Sequence, residues 1–257
     1  MALTFLQCSH LQPMRVLRAV IAIVCCVSPV AGLAQSPPAS TVRSLLATGR
    51  IGSVVDAPLA FRLLSVRIPA TQQASYTGPN AMLYAVSGGA RVDLGGNPQP
   101  VPEGAAVFLP TGQAAIFSVS DQGPAHLLLF VLCPAADAQK PLLGPGISVN
   151  ELYRSPEPLS GLQVGPYEFS LTRVSLPPAM PANPPHARSG AALYYIAAGS
   201  GMFTAEAKTE PRSAGIAHFE PRGLVHQWAN PGDVPLVFIQ ANISPEGIPA
   251  VLAAGTQ

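Results

Sequence analysis

The residues best suited to chemistry lie in the last third of the chain: three histidines, a glutamate and an arginine. His186 and Arg188 stand two residues apart, and His218, Glu220 and His226 fall within one short stretch. Imidazole and carboxylate groups are common ligands of zinc and other transition metals in proteins, whereas arginine binds carboxylates through paired hydrogen bonds. The set therefore predicts a metal site or a binding site for an anion.

His226 belongs to the most informative stretch, Gly215–Asn230, which follows the pattern G-x5-P-x-G-x2-H-x3-N. An apolar strand over 216–219 is stopped by Pro221, which fixes φ and has no backbone donor. Gly223 then permits a tight reversal with positive φ. The pattern predicts two short strands joined by a turn, with His226 at the start of the second.

The same spacing recurs upstream, from Gly104 to Ala115, with alanine in the place of the histidine. A turn glycine precedes each copy by sixteen residues, Gly88 in the first and Gly199 in the second. The copies are offset by 111 residues. The chain is therefore predicted to contain an internal repeat.

These residues resemble the second motif of the cupin family, and the repeat is similar to a bicupin over roughly residues 50 to 245. The resemblance implies an all-β fold of tandem jelly-roll (cupin) β-barrels. In that family the motif histidine is usually a metal ligand, which here implies His226. Cupins often pair through their sheets, so the resemblance also implies a homodimer, although two barrels in one chain already mimic such a pair.

The resemblance also implies a degraded metal site. In cupins a first motif supplies two histidines and a glutamate ahead of the turn glycine, and here those places hold His186, Arg188 and Ala192. Stable divalent sites use three or four protein ligands, and a permanent cation such as Arg188 repels a metal ion. In the first barrel the corresponding places hold Ser75, Thr77, Ala81 and Ala115.

A compensating ligand set depends on which way one strand faces. His218 and Glu220 share a face by the period of two. If that face points into the barrel, both join His186 and His226 as metal ligands; if it points to solvent, neither takes part. The sequence leaves both alternatives open. Further candidates for polar groups of the pocket are Tyr194 and Gln240.

The function expected from these residues is the binding of a small molecule in the C-terminal barrel, with the family metal site degraded. If Arg188 forms a cationic mouth with His186 and His226, the molecule is an anion. The predicted ligand-binding residues are His186, Arg188, His226, Tyr194 and Gln240. The alternative is a metal-dependent cupin enzyme, such as an oxygenase, isomerase or lyase, acting through His186 and His226. Its cofactor would be a divalent transition metal, namely iron, manganese, zinc or nickel. Whether the protein is an enzyme is left undecided.

The N-terminus predicts export. Arg15 and Arg18 precede an apolar run over 19–27, which is too short to span a bilayer as a helix, and small residues suit cleavage after Ala34. We therefore expect a periplasmic or secreted protein with no stable membrane span after cleavage. The alternative to cleavage is a retained membrane anchor, and the alternative to a start at Met1 is a start at Met14. Cys133 alone then remains of four cysteines, predicted to be a buried apolar residue.

The charge balance argues against nucleic acid as a partner. The chain carries +1, with 14 basic and 13 acidic residues, and removal of Arg15 and Arg18 leaves 12 against 13, or −1. Nucleic-acid binding depends on clustered Lys and Arg, yet only Lys140 and Lys208 are lysines. The abundance of proline and glycine favours short strands joined by turns.

The predicted domains follow from these boundaries. They are a signal peptide (1–34), a tether (35–49), an N-terminal barrel (50–133), a connector (134–166), a C-terminal barrel (167–245) and a tail (246–257). The connector is long enough that part of it is expected to pack as an extra strand or arm across a barrel. Residues 42–47 are expected to form a short strand or helix, and residues 248–254 at most a short helix.

Overall fold

A computed structural model describes residues 40–52, 58–120 and 123–255. These residues form strands and one short 3-10 helix, Ala135–Asp137. The strands are β1 Val42–Ile51, β2 Leu59–Ile68, β3 Gln73–Tyr76, β4 Asn80–Ser87, β5 Ala90–Leu94, β6 Asn97–Val101, β7 Ala106–Leu109, β8 Ala115–Val119, β9 Ala125–Pro134, β10 Ser148–Arg154, β11 Tyr167–Leu176, β12 His186–Arg188, β13 Ala191–Ala198, β14 Ser200–Ala205, β15 Lys208–Ser213, β16 Ala217–Glu220, β17 His226–Ala229, β18 Leu236–Pro245 and β19 Val251–Ala253.

The strands form two barrels, each made of two facing sheets. The first barrel has the sheet β10-β2-β9-β4-β7 and the smaller sheet β3-β8-β5-β6. The second has the sheets β1-β11-β18-β13-β16 and β15-β14-β17-β12-β19. Every named strand pair is antiparallel, as expected for a jelly roll. The predicted fold class, all-β with tandem barrels, is confirmed.

Two strands are exchanged between the barrels. β1, at the N-terminal end of the described residues, pairs with β11 in the second barrel. β10, which lies in the predicted connector, pairs with β2 in the first barrel. Residues 42–49 of the predicted tether are therefore part of the second barrel, and residues 148–154 of the connector complete the first.

The C-terminal tail contains a strand where a short helix was expected. β19 pairs with β12, opposite His186 to Arg188. β19, in the tail expected at 246–257, thus closes one edge of the sheet that carries His186. The helix prediction was wrong because the apolar run 248–254 finds an unpaired strand edge to join, and tertiary pairing overrides local propensity.

The large sheets are apolar on both faces because the barrels pack against each other. Along β9, Leu127, Leu129 and Val131 face the interior of the first barrel, whereas Leu128 and Phe130 face the second barrel. This alternation explains why the sequence shows one continuous apolar run. Cys133 lies in the first barrel's core as a fully buried free thiol, as predicted.

The predicted signal peptide, residues 1–34, lies outside the described residues. Among the described residues, the structure contains no helix with the length and apolar character needed to cross a membrane.

The glycine and proline spacing of the second motif is explained by its turns. Gly215 and Gly223 have φ of 90° and 79°, conformations that favour glycine. Asn230 is fully buried, and its amide donates to the backbone oxygens of Leu176, Pro177 and Val234. The motif therefore fixes the ends of β17 and, with them, the position of His226.

Candidate functional site

The interior of the second barrel gathers most of the predicted site residues on neighbouring strands. His186 lies on β12 directly opposite His226 on β17. Glu220 on β16 lies opposite Ala192, and Tyr194 on β13 lies opposite both His218 and Gln240. Side chains alternate between the two faces of each strand, so the apolar residues next to the site residues in sequence pack between the two barrels. The face of β16 that carries His218 and Glu220 thus points into the barrel.

The two histidines contact each other through their rings. The ring centroids of His186 and His226 lie 4.3 Å apart, and both side chains are buried. Each Nδ1 lies beside a backbone oxygen two residues back, at 3.0 Å from Pro184 O and 2.9 Å from Leu224 O. Each Nδ1 therefore carries a proton that it donates, which leaves Nε2 as the variable nitrogen.

Glu220 is the centre of a buried hydrogen-bond network. Its Oε2 accepts from Arg188 Nε at 2.6 Å and from Gln240 Nε2 at 3.3 Å. Its Oε1 accepts from Trp228 Nε1 at 3.3 Å and lies 3.0 Å from His226 Nε2. Both oxygens of the Glu220 carboxylate therefore accept from protein donors, and Oε1 also contacts the His226 ring.

The charges in this network have opposite effects on Glu220 and His186. Burial alone would raise the pKa of Glu220, but the Arg188 charge and the hydrogen bonds from His226 and Arg188 hold it well below its ordinary value. Burial, reinforced by the positive charge of His226, lowers the pKa of His186 to about 4. Near neutral pH the site therefore contains a carboxylate and a neutral His186.

Several buried polar atoms in the barrel have no hydrogen-bond partner among the described residues. They include His186 Nε2, Arg188 Nη1, Ser189 Oγ, Tyr194 OH, His218 Nε2, Gln240 Oε1 and Asn242 Oδ1. An unpaired buried polar group carries a desolvation cost of about 1–3 kcal/mol, so a cluster of them is unusual in a purely structural core. The cluster indicates a site that water or a ligand completes.

His218 belongs to an aromatic group and not to the charged network. Its ring lies 4.6 Å from that of Phe203 and 5.2 Å from that of Tyr194. Burial, together with the charge of Arg212, lowers the pKa of His218 to about 4. His218 is thus a neutral, half-buried ring in the wall of the aromatic core formed with Trp228 and Phe238.

A cavity of about 510 Å³ lies at the mouth of this barrel, beside His186. Its wall comprises the start of β1, the loop 180–185 and β19. His186 thus separates the cavity from the polar network behind it. The cavity is where a small molecule would reach the barrel, because the interior itself is filled by the fully buried Trp228, Tyr194 and Arg188.

The donors present do not fit a divalent metal in this arrangement. Among residues 40–52, 58–120 and 123–255, no group of three His, Cys, Asp or Glu side chains could hold a metal ion. Both oxygens of Glu220 are engaged by protein donors, and Arg188 lies beside them. Two imidazoles alone fall short of the three or four ligands that a stable site needs.

Arg188 occupies a different environment from the one predicted. A cationic mouth formed with His186 and His226 was expected, but Arg188 is only 2% exposed and paired with Glu220. Its charge is therefore neutralised inside the barrel. The sequence missed this pair because Glu220 is 32 residues away and its orientation depended on strand register.

The strand register also corrects the comparison with the first barrel. Tyr76 lies opposite Ala115, just as His186 lies opposite His226. The counterpart of His186 is therefore Tyr76, one residue later than the Ser75 predicted from glycine spacing. Tyr76 is fully buried, whereas Ser75 is exposed.

Two residues of the site escaped the sequence analysis. Arg43 lies on β1 and lines the cavity, although β1 ends more than 110 residues before β11, the next strand of the second barrel. Asn183 fixes the loop beside the cavity, because its Oδ1 accepts from Trp228 N and its backbone oxygen accepts from Gln227. Arg43 could be found only from the pairing of the exchanged strand β1. Asn183 could have been found from the sequence, because it directly precedes the prolines before His186.

Comparison with known proteins agrees with this architecture. Residues 172–241 match the family model described as the cupin domain. The structure of oxalate decarboxylase from Bacillus subtilis at pH 4.6 superposes with a TM-score of 0.51 at 16% identity, covering 80% of this chain and 74% of that one. The fold is that of a bicupin.

Other solved structures show the same fold. A mutant of the same oxalate decarboxylase has a TM-score of 0.52 at 16% identity, covering 78% of this chain and 72% of that chain. A variant of salicylate 1,2-dioxygenase from Pseudoaminobacter salicylatoxidans has a TM-score of 0.50 at 11% identity, covering 76% and 77%. No curated protein gives a match to the sequence.

Proposed function

We propose that the protein is an exported bicupin that binds a small anionic molecule at the mouth of its C-terminal barrel. The observation that carries this proposal is the cavity of about 510 Å³ beside His186, whose buried Nε2 has no partner. Cavities of this size suit small ligands, which they hold by mostly apolar walls and a few polar groups. The motifs at the N-terminus support export.

The charges near the cavity favour an anion. Arg188 and Glu220 neutralise each other, so the pair does not repel an anion. Arg43 places a positive charge on the cavity wall. Coulomb attraction in a partly buried site is several times stronger than in water, so the charge of Arg43 attracts a carboxylate or similar group.

The test is a thermal-shift screen of small organic acids, followed by calorimetry on the compounds that raise Tm. Val251→Trp fills the cavity, because Val251 lines it, and is expected to abolish the shift. The matched control is Val234→Trp, which introduces the same ring at an exposed loop position and should leave binding intact. Equal binding to Val251→Trp and the control would overturn the proposal.

A second candidate is a metal-dependent cupin enzyme acting through His186 and His226. It is favoured by the contact between the two imidazole rings, 4.3 Å apart, and by the fold, since a related oxalate decarboxylase is described with Mn(II) centres. It requires Glu220 to release Arg188 so that a third ligand becomes available. Turnover of a substrate that is lost on chelation and in His226→Ala would select this candidate over simple binding.

A further inference from the structure

The cavity at the mouth of the C-terminal barrel has a strongly apolar wall. The apolar side chains that line it include Met180, Pro181, Pro184, Pro185 and Val251. Proline rings lose little entropy when a ligand packs on them, so the wall is a rigid apolar surface. A ligand that fills the cavity therefore needs an apolar body as well as a charge.

Of the described residues that line this wall, Arg43 is the one with a charged side chain. It lies on β1 opposite Val174 and makes no ion pair with any other described residue. A guanidinium without a carboxylate partner at the rim of a cavity is suited to bind a carboxylate through two parallel hydrogen bonds. The anionic group of the ligand is therefore placed at Arg43 and not at Arg188, whose charge Glu220 neutralises.

His186 supplies the second polar contact. Its Nδ1 proton is donated to Pro184 O, and the neutral ring leaves Nε2 as an acceptor without a partner among the described residues. Such an acceptor is completed by a hydroxyl or an N–H group. Asn183 accepts from Trp228 N through its Oδ1 and makes no hydrogen bond to His186 Nε2.

From these contacts we infer that the ligand is an apolar carboxylic acid that also carries a hydroxyl or N–H donor. The carboxylate binds Arg43, the donor binds His186 Nε2, and a ring or branched chain packs on the proline-rich wall. This inference rests on the proposed function and names the chemical class of its ligand. It also makes β1, the exchanged strand, part of the binding site.

The test is calorimetry with three kinds of probe that differ in one group each. These are the three hydroxyphenylacetate isomers, phenylacetate, which lacks the hydroxyl, and the hydroxyphenylethanols, which lack the carboxylate. At least one hydroxyphenylacetate isomer is expected to bind the full chain more tightly than phenylacetate and the matching alcohol. The acid should bind roughly tenfold or more tightly than the matching alcohol, because its carboxylate makes hydrogen bonds to the charged Arg43.

Two variants assign the contacts. Arg43→Met should weaken the acids at least about tenfold and leave the alcohols unchanged, whereas His186→Phe should erase the preference for the hydroxyl. Arg50→Met is the matched control, because Arg50 lies on the same strand but away from this cavity, paired with Glu246. The Arg50→Met protein should bind every probe with the affinity of the wild type.

The outcomes separate the two proposals. Alcohols that bind as tightly as the acids, or acids that bind equally to Arg43→Met, overturn the ligand class. The class is also overturned if no probe binds while the screen finds other ligands that Val251→Trp excludes. If no compound of any class binds in a way that Val251→Trp abolishes, the binding function itself is wrong.

Discussion

The two barrels have the same fold, but the side chains at matched interior positions are apolar in the first barrel and polar in the second. At matched register positions the first barrel places aromatic or aliphatic side chains, namely Tyr76, Leu83, Val107, Leu109, Ala115, Leu129 and Val131. The second places polar ones, namely His186, Tyr194, His218, Glu220, His226, Gln240 and Asn242. The first barrel shows that the fold needs none of the polar groups.

The comparison teaches that the polar interior serves something other than stability. A buried ion pair such as Arg188–Glu220 is often no more stabilising than well-packed apolar residues, because both charges lose their hydration. The first barrel has Leu109 where the second has Glu220. The unpaired buried atoms beside the pair add to its desolvation cost. We therefore interpret the second barrel as the functional one.

The largest expected effect comes from removing half of the buried ion pair. Glu220→Leu, which copies the first barrel, leaves Arg188 charged and unpaired and should lower the free energy of unfolding by about 3–5 kcal/mol. Urea denaturation measures the loss. The triple variant Arg188→Met, Glu220→Leu and His226→Ala should recover most of it. A triple variant as unstable as Glu220→Leu would contradict the view that the charges, and not the packing, set this cost.

A packing change in the first barrel should come next. Leu129 is buried in a close-packed apolar core, and Leu129→Ala should destabilise the protein by about 2–5 kcal/mol through lost burial and the cavity left behind. Urea denaturation with an unchanged m-value would attribute the loss to the folded core. A loss below 1 kcal/mol would show that the first barrel is not the packed counterpart described above.

Acid should weaken the second barrel in particular. Burial lowers the pKa of His186 and His218 to about 4, whereas histidine in the unfolded chain titrates near 6.5. Between these values the unfolded chain binds more protons, so stability falls as pH falls from 6.5 towards 4. The loss from pH 7 to 5 should be about 2 kcal/mol per histidine.

The control for this pH dependence is His186→Phe, which removes one of the two titrating groups. Its stability, measured by urea denaturation at pH 7 and pH 5, should change less than that of the wild type by the contribution of one histidine. An identical pH dependence in the two proteins would contradict a neutral, buried His186.

The smallest effect is expected at Gln240, which occupies the position in the second barrel that Leu129 occupies in the first. Gln240 is buried, but its Oε1 has no partner among the described residues, so Gln240→Leu exchanges an incompletely satisfied amide for the apolar residue of the first barrel. The free energy of unfolding should change by less than about 1 kcal/mol, in either direction. A large loss would show that the amide is essential to hold Glu220.

The sequence predicted the fold and part of the site for local reasons. The glycine and proline spacing fixes turns, so the repeat, the strand after Pro221 and the position of His226 could be predicted. Strand register depends on pairing between distant residues. For this reason the counterpart of His186 was placed at Ser75, one residue before Tyr76, and two orientations of Glu220 remained open. Pairing between β1 and β11 joins residues far apart in the chain, so Arg43 could not be placed from the sequence.

The central claim is that the C-terminal barrel binds its ligand without a metal, and metal analysis tests it most directly. The full chain would be purified without an affinity tag, beside His226→Ala, and both assayed for transition metals and for ligand binding with and without chelator. We expect no stoichiometric metal in either protein and wild-type binding that chelator does not change. A stoichiometric metal in the wild type that is lost in His226→Ala, with binding that chelator abolishes, would contradict the account.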